Sequence, residues 1–178
     1  LTLPEEAGAA KPSALPVVGI SVRFWEGDRR ELNAIADGLR KASAAQPIHL
    51  RFLPFHLPSD NEASRYIMER LGEDAQQNGE TISICEDAAH PQDMLREVER
   101  CDVLIGMRLH SLIYAAGRRV PLIGISYDPK IDNFLNRIDC QPVGSTAALD
   151  SDKVASEIVH LLQEGAGWRA EREPLISS

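Results

Sequence analysis

Arg108 and His110, two positions apart in Met107-Arg108-Leu109-His110-Ser111, and Lys130 in Ser126-Tyr127-Asp128-Pro129-Lys130 are the residues best suited to chemistry. Each follows an apolar run of strand length, Val103-Leu104-Ile105-Gly106 in one case and Leu122-Ile123-Gly124-Ile125 in the other. At a strand-to-helix turn, this spacing sends Arg108 and His110 toward a ligand while Leu109 turns to the core. A guanidinium offers a two-pronged fork to phosphate or carboxylate, and an imidazole exchanges a proton near neutral pH. Ser111 adds a hydroxyl at the same turn. Cationic groups gathered where helices begin, beside unpaired N–H groups and a positive dipole end, point to an anionic ligand.

Arg23, followed by Phe24 and Trp25, ends an earlier apolar run on what should be the same edge. It is placed to meet a ligand, a neighbouring domain or a nearby carboxylate. Lys130 follows Pro129, a residue suited to the first helical position, so its charge opposes the helix dipole and needs another reason to be there. Asp128 either coordinates a cation or orients Lys130, and the second reading is favoured. His49, His56, His90 and His160 show no metal-ligand spacing with cysteines or carboxylates, so no metal site is expected. The sequence has no G-x-S-x-G, no glycine-rich phosphate loop and no G-x-G-x-x-G, which speaks against serine hydrolysis and dinucleotide binding.

The elements that must position these residues follow from periodicity. Strands are expected at 17–22, 48–53, 81–85, up to Arg108, and at 122–126. Helices are expected at 29–45, from Asp60 as N-cap through Leu71, at 91–100, at 111–117, after Pro129, and at 152–163. Strands alternating with helices imply βαβ units with right-handed crossovers. The expected fold is therefore α/β, a Rossmann-like parallel sheet flanked by helices. Residues 1–16 read as a linker or disordered segment, 17–165 as the folded lobe, and 166–178 as a tail whose Trp168 folds back onto the domain or onto a partner domain.

At 178 residues and 43% hydrophobic content the chain can build one domain around a substantial core. A net charge of −8 excludes general electrostatic binding of nucleic acid or an anionic membrane, so an anion must be held by a local cluster. Three widely spaced cysteines, Cys85, Cys101 and Cys140, lie in or beside apolar segments and read as reduced thiols in a cytoplasmic setting. No run approaches the roughly 18 to 20 apolar residues of a membrane span, and the opening residues lack the pattern of a signal peptide.

Gly19-Ile20-Ser21-Val22-Arg23-Phe24-Trp25, Leu53-Pro54-Phe55, the stretch 102–116 around Arg108-Leu109-His110-Ser111, and 120–130 together resemble the carboxyl-terminal half of bacterial polysaccharide pyruvyl transferases. The similarity is closest to the type that modifies secondary cell-wall polymers anchoring surface-layer proteins, and it covers about 17–163. The resemblance implies one lobe of a two-lobed, GT-B-like enzyme whose amino-terminal lobe is missing here. It further implies transfer of pyruvate from phosphoenolpyruvate to a sugar as a cyclic ketal, bridging O4 and O6 of N-acetylmannosamine in a polysaccharide or lipid-linked saccharide acceptor. No cofactor is implied beyond the donor substrate, and the expected place is the cytoplasm, at the inner face of the cell membrane. Carried over by position, His110 moves protons while Arg108 and Lys130 neutralise carboxylate and phosphate, with Arg23 and Ser111 as further binding residues. Two rivals share the fold: the donor lobe of a nucleotide-sugar glycosyltransferase or epimerase, and a non-catalytic module that binds a phosphorylated metabolite.

Overall fold

Six parallel strands form the centre of the chain: β1 (Val17–Ser21), β2 (His49–Phe52), β3 (Ile82–Ile84), β4 (Val103–Gly106), β5 (Leu122–Ser126) and β6 (Gly144–Ser145), in the spatial order β3-β2-β1-β4-β5-β6. This computed structural model describes residues 15–77, 81–86 and 90–177. The expected linker at 1–16 lies almost wholly outside the described residues. Every residue of β4 and β5 is buried, as a strand covered on both faces requires. That is why their sequences are continuous apolar runs rather than alternating ones.

Among the described residues, five helices connect successive strands, α1 (Arg30–Ala45), α2 (Ser59–Gln77), α3 (Pro91–Glu99), α4 (Leu109–Gly117) and α5 (Pro129–Arg137), and α6 (Ser151–Ser177) follows β6. Helices α1, α2 and α6 pack together on one face of the sheet. On the other, Leu112 of α4 and Leu135 of α5 meet over Gly124, where a Cβ would lie 2.7 Å from Leu135. The main core joins both faces through Ile20, Leu32, Ile35, Leu39, Leu104, Ile105 and Leu112, all fully buried.

Where α1 crosses α6, Gly38 is the point of closest approach. A Cβ there would lie 2.6 Å from Val154 Cγ1 and 3.1 Å from the Ser151 carbonyl oxygen. Backbone cannot yield as a flexible side chain does, so Gly38→Ala should destabilise the chain by about 1 to 3 kcal/mol. Urea denaturation checks this, and an unchanged midpoint would mean that the two helices slide apart at no cost.

The structure departs from the sequence reading at its end. The last helix does not stop at residue 163: after a local break at Glu164 (φ −112°, ψ 24°) it continues to Ser177. Gly165-Ala166-Gly167 reads as a helix breaker, yet the residues beyond it find partners. Trp168 is buried, the Arg172 guanidinium stacks over its ring at 5.0 Å, and Arg172 Nη2 donates to the Asp139 carbonyl at 2.9 Å. Arg119 grips Glu173 through two hydrogen bonds of 2.8 and 3.0 Å. Those bonds, together with the Ser177 hydroxyl, hold the Glu173 carboxyl down to about 2. The short β6 was also not anticipated, since two residues carry no periodicity.

Cys85, Cys101 and Cys140 are unpaired and buried. Burial, reinforced by the carboxylates of Glu97 and Asp102, pushes the Cys101 thiol up from 9.0 to about 12, leaving it a packing residue rather than a nucleophile.

Candidate functional site

The strand order reverses direction between β1 and β4, and a parallel sheet of this kind opens a crevice beyond the carboxyl ends of its strands at that point. Val22-Arg23-Phe24-Trp25 leaves β1 there, Met107-Arg108 leaves β4, and Tyr127-Asp128 leaves β5. Arg108 is the N-cap of α4, in extended conformation (φ −87°, ψ 126°). Its carbonyl accepts the Ser111 N–H at 3.0 Å and the Ser111 hydroxyl at 2.6 Å, which closes the turn. Gly106 makes room for that hydroxyl: a Cβ at 106 would lie 2.4 Å from Ser111 Oγ.

The Arg108 side chain is not an unengaged fork. Nε donates to Asp60 Oδ2 at 2.9 Å and Nη2 to Asp60 Oδ1 at 2.6 Å. Asp60 is completely buried, and its Oδ2 also accepts the His56 N–H at 3.0 Å. The sequence reading made Asp60 the N-cap of its helix. Instead it lies inside the first turn of α2 and serves as the counter-ion that aims Arg108. The hydrogen bonds that Arg108 donates to Asp60 raise its pKa above the ordinary guanidinium value against the opposing effect of burial, with further contributions from the Asp60 charge and from Tyr127. With two donors committed, Nη1 is left without a partner among the described residues.

Arg108 and His110 share a cavity of about 340 Å³ with His56, His90, Phe55, Met94 and Tyr114. The lining residues belong to three helix beginnings. His56 and Leu57 precede α2, His90 and Pro91 open α3, and Arg108 and His110 open α4. Three imidazoles, one guanidinium and three helix beginnings thus face one hollow, and no aspartate or glutamate is among its described lining residues. Sequence reasoning found Arg108 and His110 here and missed His56 and His90, whose only signal was their position after a strand and before a helix.

Arg23 has no carboxylate partner among the described residues. Its Nη1 donates to the Tyr127 hydroxyl at 3.0 Å, and its guanidinium lies 5.1 Å from the Trp25 ring and 5.2 Å from that of Tyr127. Ser111 is fully buried, so its part is to shape the turn. Lys130 is exposed in the first turn of α5 and outside the cavity that holds His110. Asp128 Oδ1 accepts the Lys130 backbone N–H at 2.8 Å, capping α5. Asp-Pro-Lys therefore reads as N-cap, first position and second position of a helix.

No helix among the described residues is long and apolar enough to cross a membrane. Among curated proteins, none matches this sequence. A family model described as polysaccharide pyruvyl transferase matches residues 3–129, well over half of the chain, and ends one position short of Lys130. Solved structures match the fold at low identity. A glycosyltransferase from Rickettsia africae aligns with a TM-score of 0.67 at 12% identity, over 96% of this chain and 45% of that one. The UDP-GlcNAc 2-epimerase from Neisseria meningitidis, bound to UDP-GlcNAc, gives 0.65 at 8% identity over 94% and 42%. The corresponding epimerase of Methanocaldococcus jannaschii gives 0.61 at 13% over 89% and 42%. The chain spans less than half the length of each of these.

Proposed function

Because this chain belongs to the polysaccharide pyruvyl transferase family, we propose that it is the donor-binding lobe of an enzyme that moves pyruvate from phosphoenolpyruvate onto a polysaccharide sugar as a cyclic ketal. One observation supports this above the rest: a cavity lined by His56, His90, Arg108 and His110 at three helix beginnings, with no acidic residue among its described lining residues. Phosphoenolpyruvate carries a carboxylate and a phosphate on a three-carbon frame, and such a hollow supplies charge-assisted donors for both. Phe55, Met94 and Tyr114 offer an apolar wall for its methylene end.

In the reaction, a proton delivered to the methylene carbon makes C2 electrophilic. A sugar hydroxyl attacks, phosphate leaves, and a second hydroxyl closes the ring, each hydroxyl giving up its proton. His110, exposed at the mouth of the cavity, is the group for proton transfer. Arg108, fixed by Asp60, offsets the negative charge of the donor and of the departing phosphate. Lys130 and Arg23 stand outside this hollow and act on the acceptor side or against the other lobe. The acceptor expected from the family resemblance is N-acetylmannosamine, bridged at O4 and O6, in a cell-wall polysaccharide or its lipid-linked precursor at the inner face of the membrane.

An NMR titration of this chain with phosphoenolpyruvate, and separately with UDP-GlcNAc, tests the reading. Shifts at the imidazoles of His56, His90 and His110 with phosphoenolpyruvate alone, weakened in a His56→Ala/His90→Ala variant, are the expected result. A response confined to UDP-GlcNAc would replace it with the nucleotide-sugar donor lobe. Silence toward both would take donor binding away from this lobe.

A further inference from the structure

Beside the anion cavity stands a second feature that donor binding does not explain. Trp25 is 49% exposed, yet its surroundings are built with care. Its ring lies 4.4 Å from that of Tyr127, inclined by 38°, and Arg23 is held over both rings by its bond to the Tyr127 hydroxyl. The backbone beneath is tied from two directions. Glu31 is completely buried, and its Oε2 accepts the N–H groups of Trp25 at 3.0 Å and Glu26 at 2.9 Å. Glu26 in turn accepts the hydroxyl of Thr146 at 2.8 Å, joining the loop to the end of β6.

This anchoring has a cost, since Glu31 Oε1 is buried without a hydrogen-bond partner. A fold that needed only to close the β1–α1 loop would turn the indole inward, where burial is worth about 25 cal/mol per Å². Here an unfavourable buried carboxylate oxygen supports an aromatic face turned to solvent. Among the described residues, the other large exposed apolar side chains, Leu57, Ile113 and Leu175, belong to other parts of the fold. Trp25 is thus a single flat surface with the Arg23 guanidinium and the Tyr127 ring beside it, not part of a broad apolar patch of the kind that seats a protein. A pyranose ring has the matching character, one face of C–H groups and an edge of hydroxyls.

We infer that Trp25 and Tyr127, locked by Arg23, form a stacking subsite for a pyranose ring of the saccharide acceptor. The assignment of that ring as the acceptor rests on the pyruvyl-transfer reading, while the stacking surface itself does not.

The chain contains two tryptophans, and Trp168 is buried, so the Trp25 indole N–H resonance has a built-in reference. The probe is a disaccharide containing N-acetylmannosamine, followed by indole shifts and by saturation transfer to the sugar ring protons. The expected result is a shift at Trp25 with Trp168 unmoved, at least a tenfold weaker response in Trp25→Ala, partial retention in Trp25→Phe, and phosphoenolpyruvate shifts at His110 unchanged in both variants. An unmoved Trp168 resonance in the variants shows that they fold. A silent Trp25, or sugar binding that survives Trp25→Ala, overturns the subsite. If Trp25 answers to the disaccharide while phosphoenolpyruvate moves nothing, the subsite stands and only the donor reading falls.

Discussion

Arg108→Ala should lower the stability of the chain by about 3 kcal/mol and abolish phosphoenolpyruvate binding in the same stroke. Asp60 is fully enclosed and Arg108 only 19% exposed, so removing the guanidinium leaves a buried carboxylate with the His56 N–H as its remaining partner. Such a charge costs more than the pair itself contributes, which is why breaking a buried pair hurts more than replacing it. The double variant Asp60→Leu/Arg108→Met removes both charges and keeps most of the volume. It should recover much of the lost stability while binding remains absent, because apolar groups fill the space but attract no anion. Urea denaturation and phosphoenolpyruvate titration on the same three proteins separate the two roles. If Arg108→Ala unfolds at the wild-type midpoint, the pair is ornamental. If the double variant binds phosphoenolpyruvate, Arg108 is only a structural brace.

His110→Ala in the complete, two-lobed enzyme should reduce kcat by about 10²- to 10⁴-fold, the usual range for loss of a general acid or base. The KM for phosphoenolpyruvate should change far less, since Arg108, His56 and His90 still line the cavity. His56→Ala should do the reverse, raising KM with a modest effect on kcat. Exposed groups such as these add little to folding, so both variants should unfold near the wild-type midpoint. The rate of ketal formation is the measurement. Near-normal turnover without His110 would move proton transfer to another residue.

Much of the architecture was readable beforehand because apolar runs of strand length, interrupted by helical periodicity, leave few arrangements in an α/β chain. The continuous apolar run 103–106 announced a strand, and Pro129 announced a helix start. What escaped was pairing across distance. Asp60 and Arg108 lie 48 positions apart, and no local pattern marks a carboxylate that will be enclosed beside a guanidinium. The gathering of His56, His90 and His110 was hidden for the same reason. Each histidine looks ordinary in its own segment, and only the side-by-side arrangement of three helix beginnings makes them neighbours. The extension of α6 past Gly165-Ala166-Gly167 was missed because the contacts of Trp168 and Arg172 outweigh local helix propensity.

The contact between α1 and α6 governs when this chain can fold. Lys41 and Asp152, which join the two helices at 2.7 Å, are 111 positions apart, and Gly38 meets Val154 across a similar gap. During synthesis α1 is made before α6 and waits with the part of its apolar face that α6 covers still open until α6 leaves the ribosome. Long-range closure of this kind slows folding and lengthens the time for which sticky surface is open to chaperones and to other nascent chains. A ribosome stalled before residue 151 would hold α1 and α2 on their face of the sheet without the helix that completes the layer, so synthesis of α6 sets the moment at which that face closes.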